Sequence, residues 1–253
     1  MAATLTARQA RTSTATTSGN GTSARLGGKV AGVGYFAIFF LAIFANFFVR
    51  EGLIEPGDAS ATVANIRESE GMFRAGLIAF AAVFLIDIVV AWGIHLVFRS
   101  TNHDVSLLGA WSRLVYTVFL GVAVVFFLMV LELVGGADYF GAFEAGQIDA
   151  QAMLLLDAFN FTWLIGLAAF GIHLIVVGYL VLKARVAKPV LGYLLIAAGV
   201  AYIVDTTANA ALANYDDYAD LFLTMVLIPS VVGEMWFGLW LLLRGGREEE
   251  RAA

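Results

Sequence analysis

No cysteine occurs anywhere in the 253 residues. Its absence excludes a disulfide framework, thiolate-bound zinc, a cysteine nucleophile and the covalent attachment of c-type haem. Proline is nearly as scarce, at three residues, which leaves no room for the linkers of a multidomain chain. Charged side chains make up 14% of the sequence, against about a quarter in ordinary soluble domains. The net charge is -5 and no basic stripe follows any helix face, so nucleic acid is not expected as a partner. Familiar catalytic signatures are missing as well: there is no GxSxG elbow, no HExxH pair and no P-loop. No motif implies a cofactor.

What the chain has in abundance is apolar. Sixty per cent of its residues are hydrophobic, with 20 Phe and five Trp, and the mean hydropathy is +0.85. Six runs, at about 30–49, 75–98, 105–134, 158–182, 190–213 and 221–243, have the length and composition of bilayer-crossing helices. The expected fold is therefore all-α, a polytopic bundle of six transmembrane helices surrounded by lipid. Residues 26–246 form the membrane domain. Residues 1–25, rich in Thr, Ser and Ala, read as a disordered cytoplasmic tail and not as a cleaved signal peptide, and 247–253 as a charged tail. Of the 15 basic residues, all but Arg50, Arg67 and Arg74 fall at the N-terminus, in the 99–113 and 183–188 turns or at the C-terminus. The positive-inside rule then puts both termini in the cytoplasm. Arg113, near the start of an overlong third run, reads as a side chain snorkelling to the inner interface. Pro56–Gly57 marks a turn and Asp58 is placed to cap a short helix from Ala59. Pro229 is expected to kink the sixth span, and Gly28 and Gly32 have the spacing of a close helix contact.

Ionisable groups deep in such spans are the candidate sites, because hydrocarbon does not solvate them. Asp87, His173 and Glu234, from the second, fourth and sixth runs, lie at about the same depth. Converged, they would make a proton relay or, as imidazole with carboxylates, a site for zinc, iron or manganese. Separate, each would be a hydrogen-bonding contact between neighbouring helices. Asp205 and Asn209 share a helix face four residues apart and suggest an outward-facing cavity, with Arg74 as counter-ion. A bis-histidine haem is disfavoured, since His95 and His173 differ by ~8 Å in depth at 1.5 Å per residue.

Four stretches, EPGDASATVANIRESEGMFRAG at 55–76, FGIHLIVVGYL at 170–180, LGYLLIAAGVAYIVDTTAN at 191–209 and LIPSVVGEMWFGLWLLL at 227–243, together resemble a family of bacterial six-span membrane proteins catalogued as domain of unknown function 4386. That resemblance implies the six-span fold and a bacterial plasma-membrane location, and no particular activity. The residues themselves leave two functions open: a small transporter or permease for a small molecule or ion, using Asp87, His173 and Glu234, and a membrane enzyme holding a metal with the same groups. A non-catalytic membrane partner protein is the third alternative.

Overall fold

The computed structural model describes residues 22–136 and 141–247; most of the N-terminal tail and the last six residues lie outside them. Six helices are long and apolar enough to cross a membrane: Ala24–Leu53, Glu70–Phe98, His103–Val134, Ala145–Ala184, Pro189–Ala211 and Tyr215–Leu243. No strand occurs among the described residues, as expected where every backbone polar group must be satisfied without water.

Local chemistry sets the helix ends. Ser23 accepts from Leu26 N–H and Asn102 from Val105 N–H, opening the first and third spans. Glu144 and Gln147 form a reciprocal capping box that starts the fourth span well before its apolar run, so residues 145–157, expected to lie largely in a loop, continue the helix. At 40 residues this helix is about 60 Å long and projects beyond the hydrocarbon. Pro189 occupies the first turn of the fifth span, where its missing N–H is harmless. The first span does not end at residue 49: it passes through a π-helical stretch, Phe44–Arg50, into Glu51–Leu53. The short helix Ala59–Glu68 begins at Asp58, whose carboxylate accepts from Ala61 N–H. It packs beside the projecting part of the fourth span. The sixth span runs as one helix, Ala219–Leu243, with Pro229 inside it.

Each span packs chiefly against those before and after it in the chain, and the sixth closes against the first. The result is a ring in sequence order. Its outside carries large exposed apolar side chains, among them Phe40, Ile78, Val118 and Ile228, an apolar belt far larger than a water-facing monomer shows. Inside lie Phe80, Phe127, Phe159 and Phe237, all buried.

Small residues let the helices meet. A Cβ on Gly32 would stand 2.5 Å from Leu242 N, where the first and sixth spans cross. Between the fourth and fifth spans a Cβ on Gly171 would stand 2.5 Å from the Gly199 carbonyl oxygen. Backbone cannot yield as a flexible side chain does, so Gly171→Ala is expected to cost about 1–3 kcal/mol. Gly71, with nothing within 4 Å of an added Cβ, serves as control, since Gly→Ala in a helix is neutral or favourable. Thermal melts of the detergent-purified protein should separate the two variants; indistinguishable melts would refute the close helix crossing.

Candidate functional site

Tyr35, Asp87, Arg113, His173, Tyr202 and Glu234 come one from each span. Each lies about 9–13 residues from the end of its helix that carries the basic turns, hence ~14–20 Å along the axis at 1.5 Å per residue. Six helices thus bring one polar side chain each to a common layer. Its hub is Arg113, 2% exposed, with Asp87 and His173 at 0%.

The guanidinium is held on every side. Arg113 Nε donates to Asp87 Oδ1 at 2.8 Å, and Nη2 donates to the same oxygen. Nη1 donates to Tyr35 Oη at 2.9 Å and lies 3.2 Å from His173 Nε2. His173 Nδ1 is 2.8 Å from the Gly109 carbonyl oxygen. A carbonyl only accepts, so Nδ1 carries the hydrogen and Nε2 presents its lone pair to Arg113. The partners therefore assign the neutral imidazole. The Tyr35 and Phe170 rings lie beside the guanidinium, their centres 4.8 and 5.2 Å from Cζ. Four of the five arginine donors are used. Asp87 Oδ2 is buried and has no hydrogen-bond partner among the described residues. Thr117 Oγ1 donates to the Arg113 carbonyl at 2.8 Å and tightens the same turn.

Of the three groups expected together, Asp87 and His173 meet, through Arg113 and not directly. Glu234 is half-buried on the sixth span and takes no part in the Arg113 hydrogen bonds. Arg113 itself is not at the interface: it is buried against Asp87, and the snorkelling expectation is corrected. The correction has a readable cause. Asp87 needs a cation in hydrocarbon, and Arg113, about ten residues into a helix that starts at His103, lies at the depth of Asp87. A metal ion between Asp87 and His173 would have to displace this guanidinium and meet its positive charge. Among the described residues no group of three or more His, Asp or Glu side chains could hold a metal ion.

The second candidate group is dispersed. Arg74 pairs with Glu70 at 2.7 Å on an exposed face, where ion pairs contribute little. Asp205 accepts from Tyr215 Oη at 2.6 Å. Asn209 does line a cavity, together with Arg50, Asn160 and Trp163. The arginine at this end is thus Arg50, which sequence reading left unexamined. His95 bonds Ser106 through Nδ1 at 3.0 Å and meets the His103 ring edge-on, away from His173.

Among the described residues a cavity lies at each end of the bundle. One, about 520 Å³, is lined at the basic end by Phe98, Thr101, Ala184, Trp240, Arg244 and Arg247. These come from the second, fourth and sixth spans and their turns, so it sits over the mouth of the ring. The other, about 230 Å³, is the Arg50 cavity at the far end. Neither is lined by Asp87, Arg113 or His173. An aromatic column joins the two: Trp240 and Phe98 contact Phe237, and Phe237 meets Tyr35 edge-on at 5.6 Å. Beyond Arg113, Phe170 meets Tyr116 at 4.9 Å. Tyr116 Oη accepts from Trp163 Nε1 at 3.3 Å, and Trp163 lies beneath Arg50.

Comparison with known proteins places this architecture. An uncharacterised protein of the archaeon Archaeoglobus fulgidus is 22% identical over 174 residues, covering 69% of this chain and 86% of the relative; the likeness is therefore not confined to bacteria. No solved structure matches. The model of the family described as "Domain of unknown function (DUF4386)" matches residues 30–245, which include all six members of the polar layer, and the chain belongs to that family.

Proposed function

We propose that this multi-pass membrane protein is a carrier for a small solute, with the Arg113 layer as its closed septum and the Asp87 and Glu234 carboxylates as its proton-exchanging groups. One observation carries the reading: a cavity lies at each end of the bundle, and between them sits a polar layer whose buried, hydrogen-bonded core comes from the first four spans. An enzyme needs one entrance, whereas alternating access needs two, on either side of a central site. The layer is suited to switching, because Tyr35, Asp87, Arg113 and His173 sit on four different helices and relative movement of those spans must remake their bonds. Asp87 Oδ2, buried without a partner among the described residues, is an acceptor for a proton. Glu234 supplies a second carboxylate at the same level. The guanidinium between Asp87 and His173 favours this reading over a metal-dependent enzyme, since a cation already occupies the place a metal would need.

The carrier sits in the plasma membrane with both termini cytoplasmic, the side favoured by the distribution of lysine and arginine. The absence of cysteine makes this testable without background. Single cysteines at Ser100 and at Asp216, probed in intact cells with a membrane-impermeant maleimide, should leave Ser100→Cys unlabelled and label Asp216→Cys. The reverse pattern would invert the topology. Carriage itself is read in proteoliposomes holding a trapped pH indicator, screened against small organic acids, bases and sugars. A solute-dependent proton flux from the wild-type protein is expected. Folded protein that moves neither solute nor protons would contradict the reading.

A further inference from the structure

We propose that the cavity beside Arg50 binds the anionic head, a carboxylate or a phosphate, of an amphipathic molecule whose apolar chain lies along the bundle surface. Arg50 ends the π-helical stretch Phe44–Arg50, and such wide turns recur at functional sites. Its fork is positioned with care. Nη1 donates to Asn46 Oδ1 at 2.7 Å, and Asn46 is itself anchored by donation to the Ala42 carbonyl at 3.0 Å. Nη2 donates to Asn160 Oδ1 on the fourth span, across the ring. Phe159 and Trp163 lie 5.1 and 5.6 Å from Cζ.

All these contacts orient the guanidinium and none neutralises it. Both oxygen partners belong to uncharged amides, and among the described residues no carboxylate forms an ion pair with Arg50. Glu51, the next residue along the chain, is exposed. Arg50 Nε is buried without a hydrogen-bond partner among the described residues. Arg113 shows the contrast, since Asp87 balances it. A half-buried guanidinium held by neutral groups is completed by an anion, and its planar fork matches carboxylate and phosphate oxygens. Asn160, whose carbonyl oxygen is taken by Arg50, still offers amide N–H donors.

The remaining walls select the rest of the ligand. Phe161, Leu164 and Leu167 line the cavity, and Phe161 is 58% exposed on the surface that faces lipid. The opening therefore runs from a cationic floor into the apolar belt. A volume of about 230 Å³ accommodates a head group and the first few carbons of a chain, the remainder lying outside. This binding does not require that the bundle carry a solute.

The test uses the full chain, delipidated in an uncharged maltoside detergent and titrated calorimetrically with dodecanoate, dodecyl phosphate and dodecanol. The two anions are expected to bind saturably, one per chain, at least tenfold more tightly than the alcohol. Arg50→Gln should weaken the anions at least tenfold and leave dodecanol unchanged. Asn160→Ala, which keeps the charge but frees one arm of the fork, should weaken them by a smaller factor and stands in if Arg50→Gln fails to fold. A second arm offers phosphatidylglycerol or phosphatidylcholine in nanodiscs. Retention of phosphatidylglycerol alone, lost in the variants, identifies the head as that of a membrane lipid. Dodecanoate binding without lipid retention identifies a free amphiphile. Equal binding of dodecanol, unchanged anion affinity in both variants, or no binding of any probe would overturn the proposal.

Discussion

Arg113→Met is expected to lose about 3–5 kcal/mol of stability, the loss found when one partner of a buried ion pair is removed. Adding Asp87→Leu to the same chain should restore most of it. The reasoning rests on what each change leaves behind. Methionine fills the space beside the Tyr35 and Phe170 rings but strands the Asp87 carboxylate, the His173 Nε2 lone pair and the Tyr35 hydroxyl in hydrocarbon. Of these the carboxylate is the most expensive, because a charge without a partner forfeits its solvation. Replacing both partners removes both desolvation penalties, so the apolar pair packs at little net cost. Arg113→Lys should not match the double variant: an ammonium cannot donate twice to Asp87 and also reach Tyr35 and His173. Thermal melts of the wild type, Arg113→Met, Asp87→Leu and the double variant in one detergent form the cycle. Additive losses in the double variant would mean that Asp87 and Arg113 are not coupled.

Glu234→Gln is expected to abolish proton-linked flux while leaving the melting temperature close to wild type. Glu234 sits in the polar layer as a half-buried acid. It has no part in the Arg113 hydrogen bonds that hold the layer closed. Glutamine keeps its size and removes its capacity to take up and release a proton. In proteoliposomes the proton signal should fall at least tenfold, about 1.4 kcal/mol of barrier, with solute exchange between equal pools retained. Undiminished proton flux in Glu234→Gln would remove this residue from the exchange role.

How much of this was legible in the sequence depends on which residue carried the signal. The six spans were plain, because long apolar runs have no other stable use at this length. Their ends were less so. The capping box at Glu144 and Gln147 adds a turn-forming start to residues whose polarity suggested a loop, and the π-helical stretch at Phe44 leaves no mark in hydropathy. Asp87 and His173 could be placed at one depth by counting, and both lie in the layer. Arg113 reads as interfacial because its run is longer than a span needs; that Asp87 draws it inward depends on which helices face each other, which run length does not tell. Arg50 was beyond reach altogether. Its meaning depends on Asn160, 110 residues away in the chain and on a helix that is not its neighbour in the ring, and depth arithmetic cannot say which helices face each other.

The most direct test of the central claim is solute-driven flux through the Asp87→Leu, Arg113→Met double variant, after its melt shows it folded. If the Arg113 layer is the working septum of a carrier, this protein melts near wild type and its flux in proteoliposomes falls to that of empty vesicles. If it is a packing device that orders the bundle, the double variant melts the same way and carries solute at the wild-type rate, and that result would contradict the account.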